Sequence, residues 1–97
     1  MTKLTEAELK VFLDEMQGWS SLGNAIHRDF TFPGFRAAIT FVDRVADLAD
    51  AAGHHPDIEI HFNRVHLSLS THDAGGVTEK DVALAAEIDL IAEPSAG

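Results

Sequence analysis

The 97-residue chain has no cysteine, which excludes disulfides, thiol nucleophiles and zinc–thiolate centres together and fits a reducing compartment. Basic residues are scarce: 7 Lys and Arg stand against 16 Asp and Glu, a formal net charge of −9. Phosphate neutralisation needs clustered cations, so direct nucleic-acid binding and docking on an anionic membrane are set aside as function classes. No apolar run approaches the roughly 20 residues that a bilayer span requires. The start, Met1-Thr2-Lys3-Leu4-Thr5-Glu6, lacks the hydrophobic centre of a signal peptide. The expectation is a cytoplasmic protein with a single domain over 1–97, frayed over 92–97. A Gly-x-Ser-x-Gly elbow, a phosphate-cradling glycine loop and a His-x-x-x-His helix pair are also missing. Their absence removes the usual signatures of serine hydrolases, nucleotide-binding folds and helix-borne metal sites.

What remains is 45% hydrophobic and 24% charged, a globular rather than a disordered composition. Leu4-Thr5-Glu6-Ala7-Glu8-Leu9 has the grammar of a helix start: Thr5 caps, Glu8 reaches back, and Leu4 staples on Leu9. Leu9, Phe12, Leu13 and Met16 recur at helical spacing, so a packing helix is expected over 6–17. A hairpin follows, turning at Gly23-Asn24, with Ile26, Phe30 and Phe32 on one face. Arg28 interrupts that face, which allows a bulge or an open edge.

A long helix is expected over 35–52, and its apolar arc spans about 180° where a helix that only covers a core needs about 100°. Such a helix packs on its own sheet and also on another subunit. Gly53 suits a left-handed helix end, and Pro56 prevents resumption. Two strands follow. Ile58, Ile60 and Phe62 alternate with polar residues, and after Asn63-Arg64 so do Val65, Leu67 and Leu69. His27, His61 and His66 read as solvated strand residues. Val77-Thr78-Glu79-Lys80-Asp81-Val82 opens a last helix with Thr78 as cap. The fold class is therefore α+β: a four-stranded antiparallel sheet with three helices packed on one face, in the order α-β-β-α-β-β-α.

The chemistry concentrates in Asp50-Ala51-Ala52-Gly53-His54-His55-Pro56 and Ser70-Thr71-His72-Asp73. Imidazole is the side chain whose ordinary pKa, about 6.5, suits proton transfer near neutrality. The negative end of the long helix favours a protonated imidazole just beyond it, and Asp50 stands one turn before His54. His72 is expected on the polar face of its strand. His54 and His55 point apart on an extended backbone and cannot easily share one ion, so no metal is expected. Proton transfer by the histidines and a purely structural capping role both remain open on these residues alone.

The pattern resembles the pterin-4a-carbinolamine dehydratase family (4a-hydroxytetrahydrobiopterin dehydratases). The resemblance rests on Asp50, His54-His55-Pro56, Phe62, His72 and Asp81 at the family's spacing. Gly18-Trp19, Asn63-Arg64-Val65, the run 69–76 and Thr78-Glu79-Lys80-Asp81 add to it, so it covers about 4–92. It implies dehydration of a 4a-hydroxytetrahydropterin to the quinonoid dihydropterin, in tetrahydropterin recycling, with no metal or organic cofactor. His54, His55 and His72 would be catalytic, His54 and His72 exchanging protons and His55 orienting the pterin. Asp50, Pro56, Ser70, Thr71, Asp73, Lys80 and Asp81 would bind substrate or support the site, although Asp81 also suits helix capping. Ile58 stands where many members carry Trp, and Lys80 where many carry Arg, which exchanges a planar bidentate donor for a point charge. A homodimer or homotetramer through the long helix and a sheet edge is expected. Alternatives are a coactivator-type protein that binds a partner's dimerisation helices, and action on another pterin, as in molybdopterin metabolism.

Overall fold

A computed structural model describes residues 2–92. Of the stretch 92–97 expected to fray, Ala92 still belongs to the last helix, and 93–97 lie outside the described residues. The order is α1 (Glu6–Glu15), β1 (Ser20–Leu22), β2 (Ala25–Thr31), α2 (Phe35–Ala52), β3 (Asp57–His61), β4 (Arg64–Leu69), a 3-10 turn (His72–Ala74) and α3 (Glu79–Ala92). All pairings are antiparallel and the strand order is β1-β2-β4-β3. The expected α+β class and element order are what the chain adopts.

Local signals account for most boundaries. Thr5 and Glu8 form a reciprocal capping box at the start of α1. Gly53 ends α2 in the left-handed region at φ 64°, where a residue without Cβ is not strained. The amides of Gly53 and His54 then bond back to the carbonyls of Asp50 and Ala49. That doubly bonded ending holds the backbone of His54 against the helix.

Alternation along β2 and β4 sends Ile26, Phe30, Val65, Leu67 and Leu69 into one buried face. Ala38, Phe41, Val45 and Ala49 of α2 and Leu84, Ala85 and Ile88 of α3 close over it. Phe41 lies 4.9 Å from the rings of both Phe30 and Phe32, centroid to centroid.

Four expectations are corrected. Helix α1 ends at Glu15 rather than at 17, with Met16 as its cap. The β2–β4 register is unbroken, so Arg28 causes no bulge. Its guanidinium instead lies 4.6 Å over the Phe30 ring and bonds Asp89 of α3 at 2.9 Å, so the charge stays on the core face with a partner. Phe62 is not a strand residue: His61 pairs with Arg64, which leaves Phe62 and Asn63 as a two-residue turn with Phe62 at φ 57°. His72 does not extend β4, which stops at Leu69, but opens the 3-10 turn.

Candidate active site

The loop after β4 is a closed ring. Thr71 and Gly76 exchange backbone hydrogen bonds of 2.9 and 3.3 Å, and Gly75 turns back at φ 76°. This clasp places His72 and Asp73 at the surface and turns the Thr71 side chain inward, where it is buried.

Below the clasp begins α3. Thr78 is its cap, its hydroxyl accepting from the Lys80 amide, while the Asp81 carboxylate accepts from the Thr78 amide at 2.9 Å. Asp81 is wholly buried, a costly position for a carboxylate that has to be matched by donors. Three are present. Oδ2 takes the Thr78 amide and the Thr71 hydroxyl at 2.8 Å; Oδ1 faces Nε2 of His54 at 2.5 Å. The Thr71 hydroxyl has one hydrogen, given to Asp81, so at 2.9 Å it accepts from the hydroxyl of Thr78. The order of donors is thus fixed: Thr78 to Thr71 to Asp81, with His54 giving its Nε2 hydrogen to the same carboxylate. Nδ1 is left as the atom of His54 able to exchange a proton.

Asp81 therefore both caps α3 and holds His54, so the two readings of it describe one arrangement. The structure brings together His54, Thr71 and Asp81, with His72 next in chain to Thr71. His54 is nearly buried, its side chain 13% exposed. The other predicted residues lie outside this network. His55 bonds Asp50 at 3.0 Å on open surface. Ser70 donates to the carbonyl of Asn24 at 2.6 Å, which ties the clasp to the β1–β2 turn. Pro56 is half-buried, and Asp73 and Lys80 are exposed. Thr78 is the member that sequence reasoning passed over as a cap alone. The signal was there, because a residue that caps a helix three positions before a buried carboxylate is bound to touch it.

A cleft of about 1040 Å³ bordered by Glu15, Arg28, Phe32, Phe41, Arg44 and Asp89 includes none of the predicted site residues. His27 and His66 are corrected from solvated residues to half-buried ones bonded to each other at 3.2 Å. His61 remains exposed.

Fold and site together define a class: α+β proteins with one helix-covered antiparallel sheet, whose loops join an imidazole to a buried carboxylate. The family model described as pterin 4 alpha carbinolamine dehydratase matches residues 2–91, and the chain belongs to that family. It is 58% identical over 91 residues to a protein of Chloroflexus aurantiacus provisionally named a pterin-4-alpha-carbinolamine dehydratase, covering 94% of this chain and 98% of that one. A protein of Sulfurisphaera tokodaii with the same provisional name is 48% identical over 89 residues, covering 92% and 96%. Among solved structures, a transcriptional coactivator/pterin dehydratase from Brucella melitensis superposes with a TM-score of 0.91 at 36% identity, over 94% of this chain and 99% of that one. A pterin dehydratase-like RuBisCO assembly factor of the alpha-carboxysome shares the fold, with a TM-score of 0.65 at 24% identity over 77% and 87%.

Proposed function

We propose that the protein is a lyase that dehydrates a 4a-hydroxytetrahydropterin to the quinonoid dihydropterin by histidine acid–base catalysis, in the recycling of tetrahydropterin in the cytoplasm. Hydroxide is a poor leaving group. An acid gives its proton to the 4a-oxygen, the C4a–O bond breaks as the N5 lone pair moves in, and water leaves. A base takes the N5 proton, and proton exchange between the two groups restores the enzyme. Each assisted transfer is worth roughly 10²- to 10⁴-fold.

His54 and His72 are the two proton carriers in this reading, and His55 orients the pterin. The observation that carries it is the 2.5 Å contact between His54 and the buried Asp81. A carboxylate behind an imidazole sets its tautomer and steadies the imidazolium formed when the ring accepts a proton. Ser70, Asp73 and Lys80 supply polar groups for the pterin's amide edge, Thr71 acts from beneath by holding Asp81, and Asp50 and Pro56 support His55.

The protein works in this reading as a homodimer or homotetramer through α2 and the β3 edge. Phe35, Ile58, Ile60 and Phe62 are 48, 36, 37 and 69% exposed, an apolar surface that a second copy would cover. A second reading, binding of a partner's dimerisation helices, draws on the same apolar surface and on the Brucella neighbour, which is named a transcriptional coactivator as well as a pterin dehydratase.

The deciding experiment follows the ultraviolet decay of freshly generated 4a-hydroxytetrahydropterin with and without the protein. Acceleration that disappears in His54→Ala is the expected result. Decay at the uncatalysed rate with folded protein would turn the assignment toward the helix-binding role, which pull-down with a helical partner then measures.

A further inference from the structure

The face of the sheet opposite the core carries a histidine cluster that the proposed chemistry does not use. The register sets His27 against Ser68 and Asp29 against His66, which makes His27 and His66 diagonal neighbours on β2 and β4. Nδ1 of His27 lies 3.2 Å from Nε2 of His66, with the ring planes inclined by 32°. Each ring's other nitrogen faces an oxygen acceptor: Nδ1 of His66 is 2.6 Å from Oδ1 of Asp29, and Nε2 of His27 is 3.4 Å from the carbonyl of Leu22.

The Asp29 carboxylate only accepts, so Nδ1 of His66 carries hydrogen and its Nε2 brings a lone pair to the gap. Nδ1 of His27 carries hydrogen when it donates to that lone pair, and is bare in the other tautomer, whose Nε2 hydrogen faces the Leu22 carbonyl. In that second tautomer both inner nitrogens offer lone pairs to one gap, and a metal ion placed there binds both.

We propose that His27 and His66 form a surface chelate for a borderline divalent transition ion of the Zn²⁺, Ni²⁺ and Cu²⁺ class. Zn–N bonds of about 2.0–2.1 Å in tetrahedral geometry put two ligand nitrogens roughly 3.3–3.4 Å apart, within a few tenths of an ångström of the separation already present. Imidazole suits these ions and is a poor ligand for Mg²⁺ or Ca²⁺. Asp29 stands behind His66 as the outer carboxylate that orients a metal-bound imidazole. Among the described residues no group of three or more ligating side chains could hold an ion, so the chain supplies two ligands and water the rest. Both rings keep access to solvent, which leaves room for that water. The ion clips β2 to β4 and, by binding only the folded chain, stabilises it.

The test is calorimetric titration of the intact protein with Zn²⁺ and then Ni²⁺ at pH 7.5, alongside thermal melts in the same ions. One equivalent bound with a rise in Tm is expected, with no heat from Mg²⁺. His27→Gln and His66→Gln, chosen to keep polarity and checked for folding by circular dichroism, each abolish saturation. Asp29→Asn weakens binding about tenfold while leaving both ligands in place. Unchanged binding in both glutamine variants, loss of binding only in His54→Ala or His72→Ala, or no saturable uptake below about 1 mM Zn²⁺ overturns the proposal.

Discussion

Oδ1 of Asp81 lies 2.5 Å from Nε2 of His54, 27 positions earlier in the chain, while Oδ2 of the same carboxylate accepts the amide of Thr78 three positions before it. One side chain thereby joins the end of α2, the clasp after β4 and the start of α3.

Asp81→Asn keeps the shape and removes the charge. The dehydration rate is expected to fall by about 10²-fold or more, because His54 loses the partner that fixes its tautomer. Unfolding free energy falls by about 1–3 kcal/mol, the range for hydrogen bonds to a charged group. Pterin kinetics and urea denaturation on one preparation measure both, and full activity in this variant contradicts the role given to His54.

Thr78→Ala removes the cap hydroxyl and its hydrogen bond to Thr71. A loss of about 1 kcal/mol is expected from the cap alone, and a deficit in kcat accompanies it as Thr71 loses its fixed orientation. Thr78→Ser restores the hydroxyl and recovers most of both, which a purely steric role for the methyl would not allow.

His72→Ala is exposed and should fold normally, yet lose most of the rate enhancement. His61→Ala, on the far face of the sheet, should leave the rate nearly untouched. Equal losses in the two variants would mean that the wrong histidines carry the chemistry.

Phe62 occupies the left-handed region with 69% of its surface exposed. Phe62→Gly removes a conformational cost of about 1–2 kcal/mol, partly offset by the greater freedom of glycine when unfolded. A net gain of up to about 1 kcal/mol corresponds to a rise in Tm of roughly 4–8 °C for a domain of this size. Thermal melts at low protein concentration measure it.

Where a signal is carried by neighbours in sequence, the chain is legible. Thr5 with Glu8, Gly53 before Pro56, and Thr78 with Asp81 each declare an element's end by chemistry acting over about one turn. The histidine motif is legible in the same way, since His54 follows the glycine that ends α2. Contacts set by strand register are not legible. Nothing local shows that His27 meets His66 across 39 positions, or that Arg28 finds Asp89 across 61. The turn after β3 falls one residue before the place its chemistry suggests: Asn63 is the better turn residue, but the register set by β4 puts Phe62 at the positive φ. His72 continues the alternation of β4 in sequence, but the Thr71–Gly76 bridge bends the chain away before it.

Because a single carboxylate both begins α3 and steadies an imidazole, position 81 offers evolution no compromise. Glutamate, one methylene longer, would reach the cap but crowd the ring; serine would serve the cap and abandon the ring. Loss of order at the first turn of α3 would therefore release the imidazole at the end of α2 as well, because both are held by the same two oxygens.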